Sequence, residues 1–205
     1  MEARNEDEWA QFYSYKLGRA SKNLYPPVLY RAQVHRSGSI IDGDGAYVDS
    51  FGSEKYQLRE YLAGPRKSVP TVRPDELHRP KDLVEVLARH LRKTQEKFSS
   101  PLVSLSGDFV WTTHTACARP RQVENRCVSL AVFDVSRIQQ HHGQISRVED
   151  LLAYFDDHPR YQSCETIGEC ARKWAANADE YVCWDFIPRE ALLKSIPLAR
   201  LIERC

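Results

Sequence analysis

Several familiar features are missing from this chain, and each absence narrows what it can be. No apolar run approaches the roughly 20 residues that a membrane-spanning helix needs. The first eight residues, Met1 to Glu8, are acidic and polar, so they do not form a secretory leader, which needs a basic start followed by an apolar stretch. A cytosolic start is the expectation, with no membrane partner; delivery to another compartment or a host is left open. Charge of one sign is also absent: the formal net charge is +1, which neither argues for a nucleic-acid partner nor excludes one, since patches cancel in a total. Six cysteines are too few for a disulfide scaffold of this length, and none stands in Cys-x-x-Cys spacing, so zinc and thioredoxin-like readings are poor. Cys164 and Cys170 are close enough in sequence to pair in an oxidising compartment, if their geometry permits.

The common catalytic fingerprints are missing too. There is no Gly-x-x-x-x-Gly-Lys-Ser/Thr loop, no Gly-x-Gly-x-x-Gly in the stretch from Gly38 to Gly45, and no Gly-x-Ser-x-Gly elbow. Asp42 and Asp44 lack the remaining ligands of a calcium loop. His141 and His142 are adjacent, so their side chains point apart, and a solvated loop explains them better than a metal site.

What is present reads as one globular domain. The chain has 205 residues, 42% hydrophobic and 28% charged. Residues 1–27 read as a helical extension and 28–205 as the domain. Trp9, Tyr13 and Leu17 share a helix face over 5–18. A strand over Val28 to Arg31 follows the breaker Pro26-Pro27. Residues 37–52 are glycine-rich and predict a loop, with a short strand near Ala46 to Val48, and 64–80 predicts an exposed connector. Leu83, Leu87, Leu91 and Phe98 mark the clearest amphipathic helix, over 81–98. A strand over 102–106, a helix over 109–118 and a buried strand over 127–135 come next. Ser146 to Glu149 and Thr166 to Glu169 have capping-box spacing, predicting helices to about 157 and 177. A last strand, 180–186, precedes a short helix from Arg189. Helices and strands mix without regular β-α-β alternation, so the expected class is α+β.

Three short pieces carry the candidate chemistry. Arg31 ends an apolar run, where its planar fork suits phosphate oxygens; the alternative is a surface cation with Tyr30 as plain core. Ser104 and Ser106 alternate on one strand face, where hydroxyls hold a ribose and fix the arginine; the alternative is the wet side of an ordinary strand. Glu180 opens a strand, where a carboxylate can face a cleft; the alternative is an edge charge that solvates a strand start.

In that order these residues resemble the Arg-Ser-Glu class of mono-ADP-ribosyltransferases, in its toxin-like, fungal-type branch. The resemblance runs through Val28 to Arg31, Pro101 to Ser106 with the following helix, Ser129 to Val135, and Glu180 to Val182 followed by Ile187-Pro188. It implies a split, mixed β core flanked by helices, with an NAD cleft between the halves. It assigns Arg31 to the NAD phosphates and ribose, Ser104 to organising the cleft, Ser106 to supporting it, and Glu180 to catalysis. A fixed carboxylate there offsets the positive charge that grows on the sugar as the nicotinamide–ribose bond breaks. An aromatic ring is expected on the nicotinamide, from Phe109 or Trp111, with core packing as the other role for at least one of them.

The implied reaction is transfer of ADP-ribose from NAD, the substrate, to an acceptor of unknown class, protein or nucleic acid, with no metal. Two departures bear on it. Leu105 stands between the serines where threonine is more usual, and Ala178 stands two before Glu180, where arginine-modifying members carry Glu and nucleic-acid-modifying ones often Gln. The alternative is an inactive or NAD-hydrolysing member of the fold serving as a binding domain. A third possibility, an unrelated α+β domain with chance matches, requires that Arg31, Ser104 and Glu180 do not meet in space.

Overall fold

The structure, a computed structural model, describes residues 25–34, 39–41, 45–48, 80–92, 102–118, 128–140, 145–158, 167–184 and 186–202, together with Gln11. The helix expected over 5–18 lies outside the described residues except at Gln11, which is helical. The connector expected over 64–80 lies outside them except for Pro80, which begins a helix, and the pair His141-His142 and Cys164 also lie outside them.

The main sheet has six strands in the order β6-β7-β4-β1-β5-β9. They are β1 (Val28–Val34), β4 (Leu102–Ser106), β5 (Val128–Asp134), β6 (Ile145–Arg147), β7 (Glu180–Trp184) and β9 (Leu192–Pro197). Each neighbouring pair is antiparallel. A second, antiparallel sheet joins β2 (Ser39–Ile41), β3 (Gly45–Val48) and β8 (Phe186–Pro188). The fold is α+β, as expected. The strand near 46–48 is present; β2 forms within the stretch read as loop, and β9 forms where only a short helix was expected.

The six-stranded sheet is nearly two sheets. β1 matches β5 residue for residue from Val28 opposite Asp134 to Val34 opposite Val128, and β4 matches β7 from Leu102 opposite Trp184 to Ser106 opposite Glu180. Between the halves, β1 and β4 register only at Tyr30 opposite Ser106. The sheet therefore opens one step beyond Tyr30, and the opening is where the candidate residues lie.

Both faces of the inner strands are covered, which explains why they read as apolar runs rather than as clean alternation, while the edge strand β9 is largely exposed. On one face α1 (Pro80–Arg92), α4 (Val148–Asp156) and α5 (Glu169–Asn177) pack Val86, Leu87, Leu91, Leu151, Phe155 and Ala175 against Leu102 and Val182. Burying each of the larger side chains contributes about 1.5–3 kcal/mol. On the other face Val103, Leu105, Tyr181 and Cys183 meet Leu29, Ala131 and Phe133, with Val135 and Ile138 of α3 (Val135–Gln140). The alternate positions of β4 and β7 thus belong to different cores.

α4 and α5 form where the spacing placed them, but not through capping boxes. The cap residues are Arg147 and Gly168, neither with a side-chain capping bond, because Ser146 is part of β6 and paired with Val182. Thr166 lies outside the described residues. Side-chain caps occur on two other helices: Asp108 Oδ1 accepts the Trp111 N–H at 2.8 Å and opens α2 (Phe109–Ala118) despite that segment's threonines, and Asp134 Oδ1 accepts the Ser136 N–H at 2.9 Å at the start of α3. The last helix, α6 (Leu198–Ile202), follows β9, and a 3-10 turn occupies Arg189–Ala191.

Candidate active site

Where β1 and β4 part, continued pairing would bring Ala32 opposite Ser104. Instead the Arg31 guanidinium fills the gap: Nη1 donates to the Ser104 carbonyl at 2.5 Å, and Nε donates to Gln33 Oε1 at 3.3 Å. A carbonyl that loses its strand partner must find another donor, and arginine supplies it without closing the cleft.

Ser104 turns its hydroxyl the other way. Its Oγ donates to Glu180 Oε1 at 2.7 Å, from β4 to the first residue of β7. Ser106, not Ser104, is opposite Glu180, so this is a diagonal contact between residues two positions out of register on one face. Glu180 is only 4% exposed, which makes the hydroxyl important: a buried carboxylate needs donors.

A third residue joins them. His90 Nε2 lies 2.6 Å from Ser104 Oγ and 3.8 Å from Glu180 Oε1. Ser104 has one hydroxyl proton. With that proton on the bond to Glu180, Oγ accepts from His90, so Nε2 carries a hydrogen. The result is a directional chain from imidazole to hydroxyl to carboxylate. α1 positions His90 by its apolar stripe: Val86 and Leu87, both fully buried, lie four and three residues before it. That spacing was the available signal for His90, and the motif reading missed it.

Ser106 lines the same cleft, but its hydroxyl is committed to two turns. It donates to the Ala178 carbonyl at 2.5 Å and accepts the Asp108 N–H at 3.0 Å. Ser106 thus links the start of α2 to the turn that precedes Glu180.

The cleft is open to solvent. Arg31, Ser104 and Glu180 line it, and so do Trp111 of α2 and Trp174 of α5. The two indoles meet edge to face, with centroids 5.0 Å apart at 73°, and Trp174 is 40% exposed. Phe109 is 41% exposed, packs edge to face on Tyr30 at 5.3 Å, and is not among the lining residues. Of the two aromatics expected at the site, Trp111 is in the cleft and Phe109 is beside it. Trp174 was not anticipated, and nothing local to its segment sets it apart in the sequence.

Arg31, Ser104 and Glu180 therefore converge, contrary to what chance matches require. With Trp111 and Trp174 they offer a guanidinium, a hydrogen-bonded carboxylate and two indoles in one opening. Among the described residues no group of three or more His, Cys, Asp or Glu side chains gathers for a metal, and no helix is long and apolar enough to cross a membrane.

No curated protein matches the sequence. Among solved structures, the chain is similar to one named EcPltA, at 11% identity and a TM-score of 0.46, over 84% of this chain and 76% of that one. A family model described as a domain of unknown function, DUF7587, matches residues 25–201, which takes in the whole cleft. The chain belongs to the DUF7587 family.

Proposed function

We propose that this protein is an NAD-dependent mono-ADP-ribosyltransferase. The observation that supports this reading is the meeting of Arg31, Ser104 and Glu180, separated by 73 and 76 positions along the chain, in one open cleft. The residue types suit the substrate. Arg31 would hold the pyrophosphate, Trp111 would face a planar ring, and Glu180 would sit at the ribose next to the bond that breaks.

In the reaction the C–N bond between ribose and nicotinamide breaks, its electron pair leaves with nicotinamide, and positive charge develops on the sugar. The Glu180 carboxylate offsets that charge. Ser104, oriented in turn by His90, holds the carboxylate in one rotamer, so no reorganisation is needed as the charge appears. The acceptor then bonds to the same carbon and releases a proton.

A second reading, NAD hydrolysis or a binding role without turnover, is favoured by Ala178. This residue is 5% exposed and lines the cleft with only a methyl group, so it brings no carboxylate or amide to an acceptor.

The deciding measurement is nicotinamide release from labelled NAD, run beside Glu180→Ala. Release that vanishes in a folded variant supports the enzyme. Absence of release from wild type, together with no NAD binding at millimolar concentrations, would overturn it. Release without transfer to any added protein or nucleic acid would favour hydrolysis.

A further inference from the structure

The turn that delivers Glu180 has an unusual backbone. Asp179 has φ of 42°, in the left-handed region that residues with a side chain rarely occupy, although Asp and Asn tolerate it better than most. Contacts from two other strands hold it there. Gly107, just past β4, donates its N–H to the Asp179 carbonyl at 2.9 Å. Arg147, at the end of β6, donates Nε to Asp179 Oδ1 at 2.8 Å. Ser106 secures the preceding carbonyl, that of Ala178.

Gly107 is required by space. A Cβ at this position would lie 2.0 Å from Asp179 Oδ2 and 2.9 Å from its Cγ. Only a residue without a side chain lets the Asp179 carboxylate lie over the end of β4 and still reach Arg147. Arg147 is itself steadied by Glu149, Nη1 to Oε2 at 3.1 Å.

We propose that Asp179, Gly107 and Arg147 are positioning residues for Glu180. They fix the left-handed turn, the turn sets the angle at which β7 begins, and that angle places the Glu180 carboxylate against Ser104 and in the cleft. The kinetic consequence rests on the function proposed above; the geometric one does not.

Two substitutions separate this from a merely structural turn. Asp179→Gly keeps the left-handed backbone and removes the anchor to Arg147. Asp179→Asn keeps both an acceptor for Arg147 and a tolerance for positive φ. The expected results are a folded Asp179→Gly variant whose Glu180 carboxyl-carbon NMR shift, assigned against Glu180→Gln, moves away from wild type, and recovery of the wild-type shift in Asp179→Asn. In nicotinamide release, Asp179→Gly should lower kcat by roughly a hundredfold, the order that a displacement of about 1 Å costs, with KM little changed. A Glu180 signal identical in Asp179→Gly and wild type overturns the proposal. So does wild-type kcat in that variant. If Asp179→Gly fails to fold, Arg147→Gln is read by the same carboxyl shift, and an unmoved signal there has the same meaning. A wild type that cleaves no NAD, but whose Glu180 signal moves on substitution at Asp179, removes the enzyme reading and leaves the clamp standing.

Discussion

Ser104 donates its hydroxyl proton to Glu180 across the join of β4 and β7, Oγ to Oε1 at 2.7 Å, and in doing so solvates a carboxylate that water scarcely reaches. Removing the hydroxyl leaves a buried acceptor without that donor. Ser104→Ala is expected to lose about 1–3 kcal/mol of stability, as deleting a partner of a buried charged group does. Ser104→Thr retains an Oγ and should recover part of it. Urea unfolding of the two variants checks this; equal stability of Ser104→Ala and wild type would mean that Glu180 is held by other groups.

Arg31→Lys should be damaging although it keeps the charge. An ammonium is a point donor and does not reproduce the planar fork that bridges the Ser104 carbonyl and Gln33. On the proposed function NAD binding weakens, measured by calorimetry. Unchanged affinity would take Arg31 out of the binding site and leave it as a plug in the sheet.

The two aromatics of α2 should behave differently. Trp111 faces the cleft and Phe109 packs on Tyr30 outside it. Trp111→Leu is expected to weaken NAD binding several-fold, in line with roughly 0.5–1.5 kcal/mol for a lost ring contact, while Phe109→Leu changes affinity less. The reverse ranking would place the planar ring of the ligand beside Phe109 and Tyr30, at the same end of the helix but outside the cleft lined by Trp111.

Tyr181 is expected to make the fold sensitive to alkali. Burial, with the Asp179 charge adding to it, pushes its phenol up to about 12 from an ordinary 10.0. Between those values the unfolded chain has released the proton and the folded protein still holds it. The folded state therefore binds more protons, and stability falls as pH rises through the window. Below pH 10 this contribution is fully present. Tyr181→Phe cannot ionise, so its alkaline unfolding midpoint, followed by circular dichroism, should lie above that of wild type. Coincident midpoints would show that Tyr181 is not what destabilises the fold in alkali.

Much of the local structure was legible in the residues. The leucine spacing of α1, the period-two serines of β4, and the apolar runs of β5 and β7 are short-range patterns, and short-range patterns report the element a segment will join. They also carried the order Arg31, Ser104, Ser106, Glu180. They failed where a tertiary partner replaced a local one: Ser146 pairs in a strand instead of capping α4, and β2 and β9 exist because β3 and β5 offer them an edge.

The sequence by itself determined which residue types were available and, for the four candidate site residues, which strand each would sit on, because strand periodicity acts over a few residues. Only the tertiary structure decided what those residues do together. The parting of β1 from β4 after Tyr30 opens the cleft and turns Arg31 toward the Ser104 carbonyl. The packing of α1 brings His90 to Ser104, and α5 brings Trp174 to Trp111. The left-handed turn at Asp179 depends on Gly107 and Arg147, 72 and 32 positions away. Such contacts arise from burying two faces of one sheet at once, a condition no local pattern of residues expresses.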